Sequence, residues 1–120
     1  MFMLSPDLGA DFVRVFHVDP TNKHFTEQDP IKVAPGSGPR HATFYQSESC
    51  GVKKTYLYLV TEISNKLLGY EVIYNKNMTL SFNKIYESGT FGFFPTPVGA
   101  AASEIIVTVG FLAPHFARIN

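Results

Sequence analysis

The stretch Asp11-Phe12-Val13-Arg14-Val15-Phe16-His17-Val18 is answered later in the chain by Asn65-Lys66-Leu67-Leu68-Gly69-Tyr70-Glu71-Val72. At this shift of 54 positions Asp11 meets Asn65, Val13 meets Leu67, Phe16 meets Tyr70 and Val18 meets Val72. In each copy an apolar strand runs into a polar corner, and a second strand carries an aromatic residue. A hairpin turn follows, Asp19-Pro20-Thr21-Asn22-Lys23 in the first copy and Asn75-Lys76-Asn77-Met78 in the second. Phe25 and Leu80 then start the last strand of each unit.

Outward from this repeat, segments rich in β-branched and aromatic residues alternate with Asn, Asp, Gly, Pro and Ser, which predicts short strands and turns. The expected strands are 2–5, 12–18, 25–33, 42–45, 56–61, 66–73, 79–86 and 104–109, with no window suited to a helix. The run Tyr56-Leu57-Tyr58-Leu59-Val60 is almost wholly apolar, as in a strand buried on both faces. The fold class is therefore all-β. A repeat of roughly 40 to 50 residues holding four strands is the mark of propeller blades rather than of a sandwich. The observed shift is slightly longer, and residues 46–55 read as an extended hairpin loop that accounts for the excess.

Counted this way, residues 1–108 hold most of one blade, one whole blade and the first strand of a third: a partial β-propeller of about two four-stranded blades. Residues 109–120 are expected to be a divergent tail that does not match the fold. Blades bury their faces only against neighbouring blades, so open edges are expected to promote self-association.

Composition narrows the function. Ten Lys and Arg balance ten Asp and Glu, which removes the basic field that nucleic acid or anionic membrane attracts. The longest uncharged stretch, 88–103, contains Gly89, Gly92, Pro95, Pro97 and Gly99, so it reads as a connecting loop rather than a membrane span. Cys50 is the only cysteine, which excludes an intrachain disulfide and a cysteine metal cluster. With no signal-like N-terminus, a reduced cytoplasmic setting is expected.

The most unusual run is Gly36-Ser37-Gly38-Pro39-Arg40-His41. Its glycines permit positive φ and close backbone approach, and Pro39 keeps the preceding residue extended as Arg40-His41 enters a strand. Adjacent strand residues point to opposite faces, so one of the pair is expected to look into a cavity while the other packs. The segment is either a substrate-facing turn or a tight interblade turn with Arg40 in a structural ion pair. Glu62, just past the apolar strand, is either solvated at the rim or drawn toward Arg40, where it would serve as an acid or base. His17, His24 and His115 lack metal-ligand spacing. Asp7, Asp11 and Asp19 sit at turns, where bonding to backbone amides explains them.

These motifs carry a resemblance. Pro6-Asp7-Leu8-Gly9-Ala10-Asp11, Val13-Arg14-Val15-Phe16, Pro35-Gly36-Ser37-Gly38-Pro39-Arg40-His41-Ala42-Thr43-Phe44 and Tyr56-Leu57-Tyr58-Leu59-Val60-Thr61-Glu62-Ile63-Ser64-Asn65 resemble the lactonase family of seven-bladed propellers. That family includes propeller-type 6-phosphogluconolactonases and fungal 3-carboxy-cis,cis-muconate lactonizing enzymes. The resemblance spans residues 4 to about 108. It implies a lactone hydrolase or lactonizing isomerase acting on small carboxylated lactones without a metal or other cofactor. Arg40 would hold a substrate carboxylate or the developing oxyanion, Glu62 would belong to the same site, and His41 shares the motif. After Thr108 the Asp-Gly and Ser-Asn-Arg motifs of the family are missing, so further catalytic positions are lacking. The alternative is a catalytically inactive propeller fragment or a protein-binding module.

Overall fold

The computed structural model of the chain describes residues 1–108 in full and, beyond them, the backbone of residues 115–119. Among the described residues nine strands form three antiparallel sheets. The first is β1 (Phe2–Asp7), β2 (Phe12–Val18) and β3 (Phe25–Lys32), in that order. The second is β4 (Pro39–Ser49), β5 (Val52–Thr61), β6 (Lys66–Tyr74) and β7 (Leu80–Gly89). The third pairs β8 (Glu104–Thr108) with β9 (His115–Ile119). Each sheet is a meander in which chain neighbours are also ladder neighbours, the form of a propeller blade.

The repeat is reproduced in the ladders themselves. Phe2↔His17, Met3↔Phe16 and Pro6↔Val13 in the first sheet become Tyr56↔Glu71, Leu57↔Tyr70 and Val60↔Leu67 in the second, a constant offset of 54. The corner residues Asp11 and Asn65 both take left-handed backbone, at φ 55° and 51°. Lys23 and Met78, in the next turns, both sit at φ 60°. Turn shape, not only hydrophobic pattern, has been copied.

One expectation is corrected. Residues 46–55 are no loop: Gln46↔Thr55, Ser47↔Lys54, Glu48↔Lys53 and Ser49↔Val52 continue the β4–β5 ladder to its tip. A two-residue turn at Cys50-Gly51, with φ 51° and 74°, matches the twist of the flanking strands, so polar residues stay paired as far as the turn. Strand 104–109 is observed to Thr108, and residue 109 lies outside the described residues. The expected tail likewise falls largely outside them, though the backbone of His115–Ile119 runs antiparallel to β8.

The core lies between sheets. Val13, Val15 and Ile31 of the first sheet cluster with Leu57, Leu59, Leu68, Tyr70 and Val72 of the second. The opposite face of the second sheet gives Val60 to a smaller cluster with Ala102 and Ile105, bordered by Tyr58 and Leu67. β5 is thus buried on both faces, as its apolar run predicts. Leu57 and Leu59 are fully buried, each contributing about 1.5–3 kcal/mol relative to exposure. A polar clasp joins the first two sheets: the Gln28 amide donates to the Met78 carbonyl (2.7 Å) and accepts from the Leu80 N–H (3.2 Å). Among the described residues no helix is long and apolar enough to cross a membrane.

Candidate active site

The connection from β3 to β4 is held at every step. The Asp11 carboxylate accepts the N–H groups of Gly36 (2.7 Å) and Gly38 (2.8 Å). These amides, Gly38 foremost, hold its carboxyl below the usual carboxylate range. Gly38 has φ 63°, and a Cβ there would lie 2.9 Å from the Ile63 side chain, so both conformation and space call for glycine. The Ser37 carbonyl accepts the N–H of Ile63 (3.1 Å) and of Ser64 (3.2 Å), while the Gly38 carbonyl accepts that of Glu62 (2.8 Å). The chain therefore enters β4 fixed to both the first corner and the β5–β6 turn.

At that entry the ladder slips. Pro39 faces Thr61 and His41 faces Val60, leaving Arg40 as the extra residue of a β-bulge. This corrects the expectation that one of Arg40 and His41 would pack. A bulge breaks strict alternation, and both side chains remain about half exposed, at 41% and 48%. Each takes its own carboxylate. Arg40 Nη1 donates to Glu62 Oε2, and His41 Nδ1 lies 2.5 Å from Glu104 Oε1. The Glu104 carboxyl is held below its ordinary value by His41 first, then by the Ile105 N–H, with a further contribution from the charge of Arg40. β4 and β8 lie side by side, so the four groups gather where two sheets meet.

The structure therefore brings together the three expected residues, Arg40, His41 and Glu62, and adds Glu104. Its only mark in the sequence is a charge opening an apolar strand, which many surface strands share. The other candidates lie elsewhere. Asp19 accepts the Thr21 N–H (2.8 Å), and Asp7 accepts the Ala10 N–H (3.2 Å) while pairing with Arg14 (3.0 Å), as turn residues should. The side chain of His115 lies outside the described residues. Among the described residues no group of three or more His, Cys, Asp and Glu is placed to hold a metal ion.

Known proteins are similar to this chain in sequence. The profile of the family described as Lactonase, 7-bladed beta-propeller matches residues 1–110. The chain belongs to this family. A protein of Arthroderma benhamiae named "Probable 6-phosphogluconolactonase" is 36% identical over 107 residues, covering 89% of the chain and 25% of that protein. A 6-phosphogluconolactonase of Formosa agariphila is 35% identical over 75 residues, which is 60% of the chain and 20% of the relative. One of Bacillus subtilis is 31% identical over 70 residues, with 58% and 18% covered. The chain thus spans a quarter or less of these curated relatives. No solved structure is significantly similar to it. In this lactonase-family chain the Gly-Pro-Arg-His run is the bulged entry to the first strand of a complete blade.

Proposed function

We propose that this chain forms part of the site of a cytoplasmic lactone hydrolase for small anionic lactones, 6-phosphogluconolactone foremost. The observation that carries the reading is the bulge presenting Arg40 beside Glu62, at the meeting of two opening strands. In a closed ring those strands surround the channel. Three family relatives named as 6-phosphogluconolactonases support the choice of substrate.

Opening a lactone places negative charge on the carbonyl oxygen as water adds. Arg40 gives one nitrogen to Glu62, and its other N–H groups are suited to an anionic oxygen of substrate or intermediate. Glu62 fixes the guanidinium without exhausting its donors. The chain's own open sheet edges are proposed to favour self-association in the absence of further blades.

The test is hydrolysis of 6-phosphogluconolactone by the protein carrying this chain, beside Arg40→Ala and Glu62→Ala. Arg40→Ala should lower kcat/KM by about 10²- to 10³-fold, and Glu62→Ala less. Cyclisation of carboxymuconate without lactone hydrolysis would move the proposal to an isomerase. Absence of both activities would leave a binding module, and wild-type activity in both variants would remove Arg40 and Glu62 from the site.

A further inference from the structure

We propose that His41 and Glu104 form a carboxylate–imidazole dyad across the boundary between the second and third sheets, with His41 Nε2 as the general base of the site. The dyad stands on geometry alone, and its role as base rests on the function proposed above.

The two residues are 63 positions apart, yet His41 Nδ1 and Glu104 Oε1 are 2.5 Å from one another. The same Oε1 accepts the N–H of Ile105 (3.2 Å), so the carboxylate is oriented by its own strand and not only by the imidazole. A carboxylate can only accept here, which commits the proton to Nδ1 and leaves the lone pair on Nε2. Among the described residues no partner is bonded to Nε2. Glu62 is poorly placed for the same task, because its carboxylate is already engaged by the Arg40 guanidinium. A carboxylate behind an imidazole holds its tautomer and orientation and faces the imidazolium that forms during the step.

In the step assigned to the dyad, a water oxygen bonds to the lactone carbonyl carbon while one water proton passes to Nε2. The carbonyl electron pair moves to oxygen and forms the oxyanion beside Arg40. As the oxyanion collapses, the ring ester C–O bond breaks and the departing alkoxide takes the proton back from Nε2. The product is a hydroxy acid, which loses its carboxyl proton to solvent. Glu104 touches neither water nor lactone in this scheme and is a positioning residue.

Nitrogen-15 spectra of the imidazoles in the full chain test the dyad, with His41 assigned by its loss in His41→Ala. Above the titration range, wild type should show the proton on Nδ1 and a bare Nε2, and Glu104→Ala should shift the population toward Nε2–H. Carbon-13 titration of Glu104 provides the test from the other side: its carboxyl should titrate higher in His41→Ala than in wild type. An Nε2–H imidazole in wild type, or a Glu104 titration indifferent to His41→Ala, overturns the dyad. For the base, His41→Ala should lower kcat on 6-phosphogluconolactone about 10²- to 10⁴-fold with KM little changed. Glu104→Ala should lower it less, and the double variant should match His41→Ala. Full activity in His41→Ala alongside loss in Arg40→Ala overturns the base and leaves lactone hydrolysis standing. A wild type inactive on lactones overturns both the function and the base, while the spectra still decide the dyad.

Discussion

Asp11 and Asn65 occupy the same corner of successive blades, and their backbones do the same work. The Asp11 carbonyl accepts the Val33 N–H (3.2 Å) as the first linker departs, and the Asn65 carbonyl accepts the Thr90 N–H (2.9 Å) as the second does. Their side chains do opposite work. Asp11 accepts two amide N–H groups from the glycine-turned linker, whereas Asn65 donates to the Ala100 carbonyl (2.7 Å) and keeps a buried Oδ1 that has no hydrogen-bond partner among the described residues. The repeat thus preserves the corner while fitting each side chain to the linker it must hold. Only the first linker leads into Arg40 and His41, and it is the one held by a charge.

The largest test of blade equivalence is a core truncation. Leu57 is fully buried while its counterpart Met3 is 41% exposed on the edge strand β1. Leu57→Ala should cost about 2–5 kcal/mol in urea unfolding, against no more than about 0.5 kcal/mol for Met3→Ala. Equal losses would mean that the two sheets share one environment. Next comes Gly69, the counterpart of Val15, where a Cβ would meet Tyr86 Cβ at 2.9 Å and the Tyr58 ring at 3.1 Å. Gly69→Val should destabilise by about 1–3 kcal/mol. Adding Tyr58→Leu, to recreate the Leu4↔Val15 pair, should recover part of that loss. If Gly69→Val is neutral, the close Tyr58 approach is not what requires glycine.

Effects no larger than these should come from exchanging the corners. Asn65→Asp replaces a donor by a carboxylate facing the Ala100 carbonyl, and should cost about 1–3 kcal/mol. Asp11→Asn keeps one acceptor and should chiefly accelerate amide exchange at Gly36 and Gly38, on the order of tenfold. A greater stability loss for Asp11→Asn would reverse the assignment of which corner matters more. The subtlest difference is in acid. The Asp11 carboxyl is held below the ordinary aspartate value of 3.8 by the linker amides, so its grip is complete above that value and lost as pH falls through the lowered pKa. Asn65 does not titrate. Exchange at Gly36 and Gly38 should therefore quicken in acid while Thr90 stays protected, and parallel loss at both linkers would contradict the charge-based latch.

Much of this architecture could be read from residue types. The repeat, its corners and the doubly buried run Tyr56–Val60 follow from hydrophobic pattern and turn chemistry, which are local. The β4–β5 extension could not, because Ser47, Glu48, Lys53 and Lys54 carry no burial signal and are paired only because a tight turn aligns them. The bulge at Arg40 was hidden for a related reason: a slip is a property of two strands, and one sequence segment does not state its partner's register. Arg40, His41 and Glu62 were found through a contiguous motif and a strand end. Glu104 escaped because its relation to His41 exists only once a third sheet is set beside the second.

The bulge also changes what kind of mutation is most harmful here. Substitutions at Pro39, Arg40 or His41 remove one group and leave the rest of the ladder in place. Deleting Pro39 alone would let the β4–β5 ladder fall back into even alternation while keeping Arg40 and His41, and would send those two side chains to opposite faces. The candidate site depends on the number of residues in this segment as much as on their identity, and a shift in count would dismantle it even with Arg40, His41, Glu62 and Glu104 all kept.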